Sequence, residues 1–278
     1  MIASSFPARL TACLEALESQ RDESVEVLVH ESSESAPDVR ARYPWARFAF
    51  SPGRLVPELW RDGFQTASGD VVAFTVSQMI PEPDWVPTIR RLAADHEALG
   101  GAIDPGSGLR LSDWAEYVCR YARHMRPFEA RGTADLPGDN VVFSRQRLEQ
   151  IAPALETGYW EALAHPALQR CGVTLWQSPE LVVRMGRSGG FTAFVSQRLA
   201  HGRRYGRHRG ARASAGRNIV GVLAAPAVPI LLTLRAVRLM FANGRYRTRT
   251  LLALPVLLAY NSMWALAEAR GHLDALRR

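Results

Sequence analysis

The sequence lacks lysine and has only three cysteines. The first feature bears on how its arginine content is interpreted, and the second on the redox compartment. All 34 basic residues are arginine. In a chain so rich in alanine this indicates a GC-rich genome, so the choice of Arg over Lys carries little functional weight. The three cysteines are too widely spaced to form a metal-binding pair, and they cannot all pair with one another, which favours a reduced cytoplasmic setting. The first residues do not have the pattern of a signal peptide, so none is expected.

Acidic residues are scarce at the carboxyl end. Residues 198–278 hold 15 Arg against two acids, a net charge of +13, whereas residues 1–197 hold 19 Arg against 25 acids, a net charge of −6. This split predicts a soluble body held at an anionic surface by a basic tail. Nucleic acid is the other usual partner of such a tail. It is disfavoured because the arginines lie beside apolar runs without interleaved aromatic residues.

Two apolar runs, 219–234 and 251–267, lie in this basic tail, and each is shorter than the roughly 20 residues that cross a bilayer upright. Two full spans would also leave Arg245, Arg247 and Arg249 in an outer loop, which the positive-inside bias disfavours. A shallow hairpin or two in-plane helices fit the pattern equally well. A buried helical pair in a soluble core is the remaining alternative.

The rest of the chain alternates between strand and helix patterns, which predicts an α/β domain with a mostly parallel sheet. Helices are predicted at 10–19, 57–67, 85–99, 114–124 and 161–170. Strands are predicted at 25–29, 71–74, 102–103, 173–176 and 181–184, with another entered from the loop that begins at Leu136.

The strand at 71–74 ends without acidic residues. In open α/β sheets, ligands bind at the carboxyl ends of the strands. The residues that follow this strand are Val76, Ser77 and Gln78. Mg²⁺ and Mn²⁺ prefer carboxylate oxygens, whereas Gln78 offers only a neutral amide oxygen. No cofactor is therefore certain: a divalent ion remains an option, but its usual acidic ligands are missing.

Six segments of the chain form an ordered set of motifs. In order, the segments are Leu10-Thr-Ala-Cys-Leu-Glu-Ala-Leu; Val25-Glu-Val-Leu-Val-His-Glu-Ser-Ser; Ala67-Ser-Gly-Asp-Val-Val-Ala-Phe with Pro81-Glu-Pro-Asp-Trp; Leu136-Pro-Gly-Asp-Asn-Val-Val-Phe-Ser-Arg; Gly158-Tyr-Trp-Glu161 with His165; and Gln197-Arg198 with Gly202-Arg203. Each motif is weak alone, but the ordered set covers nearly the whole chain. Together the segments resemble the family-2 glycosyltransferases, and most closely a bacterial branch with a hydrophobic C-terminal tail.

The resemblance implies a GT-A-like nucleotide-diphospho-sugar transferase fold over residues 1–197, a basic linker over 198–217 and a membrane-associated helical hairpin over 218–278. It implies transfer of a hexose from a nucleoside diphosphate sugar to a glycolipid or polysaccharide acceptor, with inversion. The expected location is the bacterial inner membrane, with the catalytic domain in the cytoplasm.

The resemblance also assigns catalytic and acceptor-binding residues. Glu161 stands where the family places its general base, at the start of a helix. His165 lies four residues later on the same helix face, and it would orient Glu161 or contact phosphate. Trp160 would form a wall for a sugar ring, and Asp139 would bind the acceptor. The structural alternatives are a helix-terminal acid for Glu161 and a packed histidine for His165.

Donor binding is assigned in the same way to residues at the loop ends of the predicted strands. Glu31 stands where the family has an Asp that usually contacts the nucleotide; the alternative is a solvated loop acid. Asn140 stands where the donor and acceptor pockets meet; the alternative is a turn-forming residue. The full expected donor-binding set is Glu31, Ser32, Ser77, Gln78, Asn140 and Arg203.

Two departures from the family pattern leave two hypotheses open. The acids that hold Mg²⁺ or Mn²⁺ are replaced by Val76, Ser77 and Gln78, and the family's first β-strand is expected to be missing, because the chain starts near the end of the loop that follows it. One hypothesis is a transferase with weak or no metal dependence that uses Arg in place of the ion. The other is a catalytically inactive binding or scaffold subunit at the membrane.

Overall fold

The computed structural model describes residues 1–6 and 9–277, which form two compact units. Unit 1 comprises Met1–Gly106 and His124–Gly186, and unit 2 comprises Ser107–Arg123 and Arg187–Arg278. Each unit is therefore built from two separate stretches of chain. The boundaries predicted at 197 and 217 both fall within helices of unit 2.

Unit 1 is organised around one mixed sheet, which has nine strands within the described residues. The strands are β1 (Ile2–Ser4), β2 (Val27–Glu31), β3 (Ala46–Phe50), β4 (Val71–Val76), β5 (Met79–Pro81), β6 (Ala98–Pro105), β7 (Arg131–Gly132), β8 (Asn140–Ser144) and β9 (Leu175–Met185). Their order in the sheet is β3-β2-β1-β4-β8-β6-β9-β5, and β7 pairs with β9.

The prediction of a mostly parallel sheet holds for only one half of it. Strands β3, β2, β1 and β4 run parallel to one another, as strand–helix–strand repeats require, and β6 runs parallel to β9. Strand β8 runs antiparallel to both β4 and β6, because its loop enters the sheet at the edge where β4 ends. Strands β5 and β7 also run antiparallel to β9.

The expectation that the first strand is missing is wrong. Strand β1 lies between β2 and β4, where Ile2 pairs with Val29 on one side and Thr75 on the other. All three of its residues are buried. Three residues are too few to produce a recognisable strand pattern in a sequence, so only the pairing reveals β1.

The helices of unit 1 confirm three predictions closely and correct a fourth. The predicted helices at 10–19, 57–67 and 161–170 are present, but the one predicted at 85–99 ends at Leu92, since the buried residues that follow belong to β6. The helices are α1 (Leu10–Glu18), α2 (Pro37–Arg42), α3 (Val56–Thr66), α4 (Trp85–Leu92), α6 (Arg145–Gln150), α7 (Ala152–Leu155) and α8 (Glu161–Arg170).

Unit 2 is helical. Its helices are α5 (Leu111–Tyr121), α9 (Phe191–Ala211), α10 (Ala215–Leu223), α11 (Val228–Asn243), α12 (Arg247–Leu252) and α13 (Leu254–Leu276). The long helix α13 packs against α5, α9, α10 and α11. Helix α9 includes most of the predicted basic linker, so that stretch is a packed element rather than a connection.

Glycines spaced four residues apart let α9 approach α13 closely. Gly202, Gly206 and Gly210 are all buried on one face of α9. A Cβ atom on Gly206 would lie 2.2 Å from the carbonyl oxygen of Glu268 in α13, far inside van der Waals contact. These glycines therefore act in helix packing, although the sequence prediction placed them in a linker.

None of the described helices is, by itself, long and apolar enough to cross a bilayer. Helices α10 and α11 together meet the requirement of length and composition, but they are bent by 70° at the break between them.

Candidate functional site

The carboxyl ends of β1, β2 and β4 lie side by side along one edge of the sheet, the edge formed by strand ends, and this edge is rich in hydroxyl groups. The Ser32 N–H donates to the Ser4 carbonyl (2.9 Å), and the Ser32 hydroxyl donates to the Ser5 hydroxyl (3.1 Å). The Ser77 N–H donates to the Ala3 carbonyl (3.1 Å). Ser32 and Ser77, both predicted to bind the donor, therefore lie at the same edge, where open α/β sheets bind ligands.

Glu31 anchors the loop that leaves β2. Its carboxylate is fully buried and accepts hydrogen bonds from the Ser35 N–H (3.1 Å) and hydroxyl (3.2 Å). It also forms an ion pair with Arg40 (2.9 Å) in the last turn of α2. The alternative of a solvated loop acid is therefore wrong. The carboxylate holds residues 32–40 against the sheet edge.

The residues after β4 do not fit a divalent metal site. Ser77 and Gln78 are both buried, the Ser77 hydroxyl donates to the Phe6 carbonyl (3.4 Å), and no carboxylate accompanies them. No group of three or more His, Cys, Asp or Glu side chains that could hold a metal ion occurs in the part of the chain that the structure describes. The neutral oxygens present here suit hydrogen bonding better than coordination of Mg²⁺ or Mn²⁺.

The loop before β8 brings Glu161 to the same edge of the sheet. Asn140, the first residue of β8, pairs with Thr75 near the end of β4, which places residues 136–139 at that edge. A Cβ atom on Gly138 would lie 2.3 Å from a carboxylate oxygen of Glu161 and 3.3 Å from the Trp60 ring. Only glycine at position 138 lets the Glu161 carboxylate lie directly over the loop.

A second glycine sets the start of α8 and so the position of Glu161. Gly158 has φ +119°, and a Cβ atom there would lie 2.9 Å from the carbonyl group of Pro57. The next residue, Tyr159, donates its N–H to the same carbonyl oxygen (2.8 Å). Glu161 then becomes the first residue of α8, where the helix dipole favours a negative charge.

His165 is a packed histidine with a partner at each ring nitrogen. Its Nδ1 lies 2.8 Å from Oδ1 of Asp135, and its Nε2 lies 2.9 Å from the Tyr159 hydroxyl. Since both ring nitrogens are engaged and the residue is buried, neither predicted role, orienting Glu161 or contacting phosphate, fits its geometry.

Tyr159, the last of these three hydrogen-bonded side chains, lies in an aromatic cluster. Its ring contacts Trp60, Phe74 and Phe143. Burial, followed by the nearby charge of Glu161, raises the pKa of Tyr159 well above 10. The protonated hydroxyl can donate to Nε2 of His165 while Nδ1–H donates to Asp135, which satisfies all three groups with a neutral imidazole.

Asn140 was predicted to bind the donor, but the structure gives it a structural role. Its amide nitrogen donates to the carbonyls of Ala102 in β6 (2.9 Å) and Leu181 in β9 (3.0 Å). Its amide oxygen accepts from Nε1 of Trp85 (2.9 Å). Both amide hydrogens are used and the residue is fully buried, so Asn140 joins three elements and keeps no donor for a ligand.

The remaining predicted residues are either buried or lie in unit 2. Trp160 is 6% exposed and donates its Nε1–H to the Thr157 carbonyl (3.1 Å), which leaves little ring surface for a sugar. Asp139 is buried beside Gly138. Arg203 belongs to α9 and pairs with Asp274 of unit 2 (2.8 Å), and this hydrogen bond raises the pKa of its guanidinium.

Three residues of the site were missed from the sequence. Trp60 fixes the end of β4 by donating its Nε1–H to the Thr75 carbonyl (2.8 Å), and Asp135 holds His165. The residues next to Trp60 and Asp135 in the sequence do not indicate these contacts. The segment around Gly138 did carry a signal, since Pro-Gly-Asp-Asn is a turn pattern.

Comparison with known proteins gives the fold a class. No protein-family model and no curated protein matches the chain. Among solved structures, the mannosyltransferase PcManGT from Pyrobaculum calidifontis, in complex with GDP-Man and Mn²⁺, is similar over 99% of this chain and 84% of its own, with 15% identity and a TM-score of 0.52. GalNAc-T7 with UDP, GalNAc and Mn²⁺ is similar over 67% and 43% respectively, with 13% identity and a TM-score of 0.48.

The chain thus has a GT-A-like nucleotide-sugar transferase fold, as the sequence resemblance implied.

Proposed function

We propose that the protein is a glycosyltransferase that moves a sugar from a nucleoside diphosphate sugar to an acceptor hydroxyl. The observation that carries the proposal is the position of Glu161. Its carboxylate lies over Gly138 at the edge of the sheet where β1, β2 and β4 end. A nucleotide sugar at that edge would have a carboxylate beside it.

In the proposed reaction, Glu161 accepts the proton of the acceptor hydroxyl as its oxygen attacks the anomeric carbon. The bond between that carbon and the diphosphate oxygen breaks, and the nucleoside diphosphate leaves with the bonding electrons. Attack opposite the leaving group inverts the anomeric centre. Because the residues after β4 lack carboxylates, we propose that hydrogen-bond donors and arginine, rather than a divalent ion, stabilise the leaving diphosphate.

We further propose a hexose as the donor sugar and a glycolipid or polysaccharide as the acceptor, at a bacterial inner membrane with unit 1 in the cytoplasm. The basic, apolar character of unit 2 supports a lipid-associated acceptor.

The second candidate function is a catalytically inactive binding or scaffold subunit. Two observations favour it: metal-binding carboxylates are missing after β4, and Asn140 and His165 are both engaged in structural hydrogen bonds. The two candidates differ in whether the site turns over a donor, so one set of measurements separates them.

The test is calorimetric titration of the purified protein with UDP, GDP and their sugars, in Mn²⁺ and in EDTA. We expect binding of one nucleotide to survive EDTA, and Glu161→Gln to retain that binding but lose sugar transfer by about a hundredfold or more. Glu156→Gln is the matched control, because Glu156 is an exposed acid just before α8. Absence of nucleotide binding in folded protein would support the scaffold; binding abolished by EDTA would contradict metal independence.

A further inference from the structure

Unit 2 contains a long stretch with positive charge only. From Arg187 to Ala267 the sequence has 13 Arg and neither Asp nor Glu. This stretch includes all of α9, α10, α11 and α12. Any surface that these four helices present must therefore be neutral or basic.

Helices α10 and α11 expose a set of large apolar side chains that we name the apolar ridge. Each member is between 50% and 75% exposed. In each helix the members are spaced at i, i+1 and i+4, so they share one helix face. The apolar ridge consists of Ile219, Val220, Leu223, Ile230, Leu231 and Leu234.

The opposite faces of the same helices are fixed to the rest of unit 2. In α10, Asn218 is buried and its Oδ1 lies 2.8 Å from Nδ1 of His272 in α13. In α11, Thr233 is buried and its hydroxyl accepts from the Asn261 amide of α13 (3.0 Å). The ridge is therefore the outer face of helices whose inner face is already packed.

The second apolar run of the sequence, residues 251–267, contributes several buried residues to unit 2. Leu257, Tyr260, Asn261 and Ala265 of α13 are buried within unit 2. This part of the tail fits the structural alternative raised from the sequence, a helix buried in the core. Of the two runs, the first thus holds the larger group of outward-facing apolar residues.

Four exposed arginines flank the apolar ridge. Arg212 and Arg217 precede it, and Arg235 and Arg238 follow it. Within the described residues none of the four has an ion-pair partner, whereas Arg203 and Arg207 of α9 both pair with Asp274. The positive charge beside the ridge is therefore not neutralised inside unit 2.

We propose that the apolar ridge and these four arginines form a docking surface for an anionic lipid bilayer. Leucine, isoleucine and valine side chains would enter the boundary between headgroups and acyl chains, and the guanidinium groups would contact lipid phosphates. The packed inner faces make this a one-sided contact in the plane of the bilayer. A second copy of the chain fits less well, because two such faces would bring unpaired arginines together.

The experiment is flotation of the full chain with vesicles of phosphatidylcholine, with and without phosphatidylglycerol, in the absence of nucleotide. We expect binding only to the anionic vesicles, and weaker binding as salt rises. The triple variant Leu223→Gln, Leu231→Gln, Leu234→Gln should lose binding. The double variant Arg217→Gln, Arg235→Gln should bind about 25-fold more weakly, at about fivefold per arginine.

The controls use equally exposed residues outside the surface, so that folding and binding can be separated. Leu266→Gln on α13 and Arg170→Gln on α8 should bind vesicles as the wild type does. Circular dichroism checks that the triple variant is folded. Undiminished binding by a folded triple variant would overturn the proposal, as would a dimer in light scattering that the triple variant converts to monomer.

This surface is independent of the transferase proposal, since docking is measured without donor or acceptor. Failure of vesicle binding would leave Glu161 as the candidate base, and failure of nucleotide binding would leave the docking surface intact.

Discussion

At the scale of single residues, His165 gives the clearest test of structural against catalytic roles. His165→Ala would leave the buried Tyr159 hydroxyl without its partner, at a cost of about 1–3 kcal/mol in the free energy of unfolding. Asp135→Asn should cost less, because the amide oxygen can still accept from Nδ1–H and the side chain is partly exposed. Urea denaturation measures both. Equal stability of His165→Ala and the wild type would contradict the structural role.

His201 makes a pH-dependent prediction. Burial, followed by the charges of Arg120 and Arg198, lowers the pKa of His201 from 6.5 to about 3. As the pH falls below about 6.5, the unfolded chain takes up a proton that the folded protein does not. The contribution of His201 to the free energy of unfolding should therefore be complete near neutral pH. It should fall on acidification, by up to about 1.4 kcal/mol per pH unit.

The check compares the free energy of unfolding between pH 7 and pH 4 for the wild type and His201→Gln. Other groups contribute to both slopes, so the quantity that matters is the difference between them. The variant should lose less stability on acidification. Parallel slopes would show that His201 does not contribute to the acid sensitivity.

At the scale of elements, the close packing of α9 on α13 depends on glycine. Gly206→Leu should destabilise the protein by about 3 kcal/mol or more, because no side chain fits against the Glu268 backbone. Gly216→Ala in α10 is the matched control. A Cβ atom there meets nothing within 4 Å, so helix propensity should stabilise the protein by up to about 1 kcal/mol. Thermal unfolding followed by circular dichroism measures both, and a neutral Gly206→Leu would contradict the packing.

A helix or strand could be predicted from the sequence when the residues that determine it are close together in the chain. Helix α8 was predicted at its observed bounds because an acid at its start and an apolar face lie within ten residues. Strand β9 was predicted as two strands, and the cause is visible in its pairing with β6, where the partners jump from Gln177 to Val182. Pro179 lies in the unpaired part, and a residue without an N–H cannot join a ladder.

The candidate site was harder to predict, because its residues come together through pairing between distant strands. Glu161 was predicted to be the general base at the start of a helix, but its approach to Gly138 depends on the register of β8 on β4. Asn140 was read as a residue at the ligand pockets because nothing in its own segment indicates the carbonyls of β6 and β9 that it binds. Sequence patterns report burial and local turns, and they do not report such partners.

At the scale of the whole molecule, unit 2 is completed by α5, which is separated in sequence from its other helices. The Trp114 ring lies under the Arg249 guanidinium (4.9 Å), and the Cys119 thiol donates to Asn261 (3.3 Å). A fragment of residues 187–278 should therefore not fold cooperatively. Adding a peptide of residues 107–123 should restore a thermal transition, which circular dichroism would detect. A cooperative transition of the fragment alone would contradict this dependence.

The same separation has a consequence for biosynthesis. Helix α5 leaves the ribosome well before α9 to α13, and the interval is on the order of ten seconds at ordinary rates of translation. During that time its apolar residues Trp114, Tyr117 and Val118 have no partners from the second stretch of unit 2. The nascent chain thus presents an aromatic helix to chaperones and to other chains until translation of the basic helices gives it a place to pack.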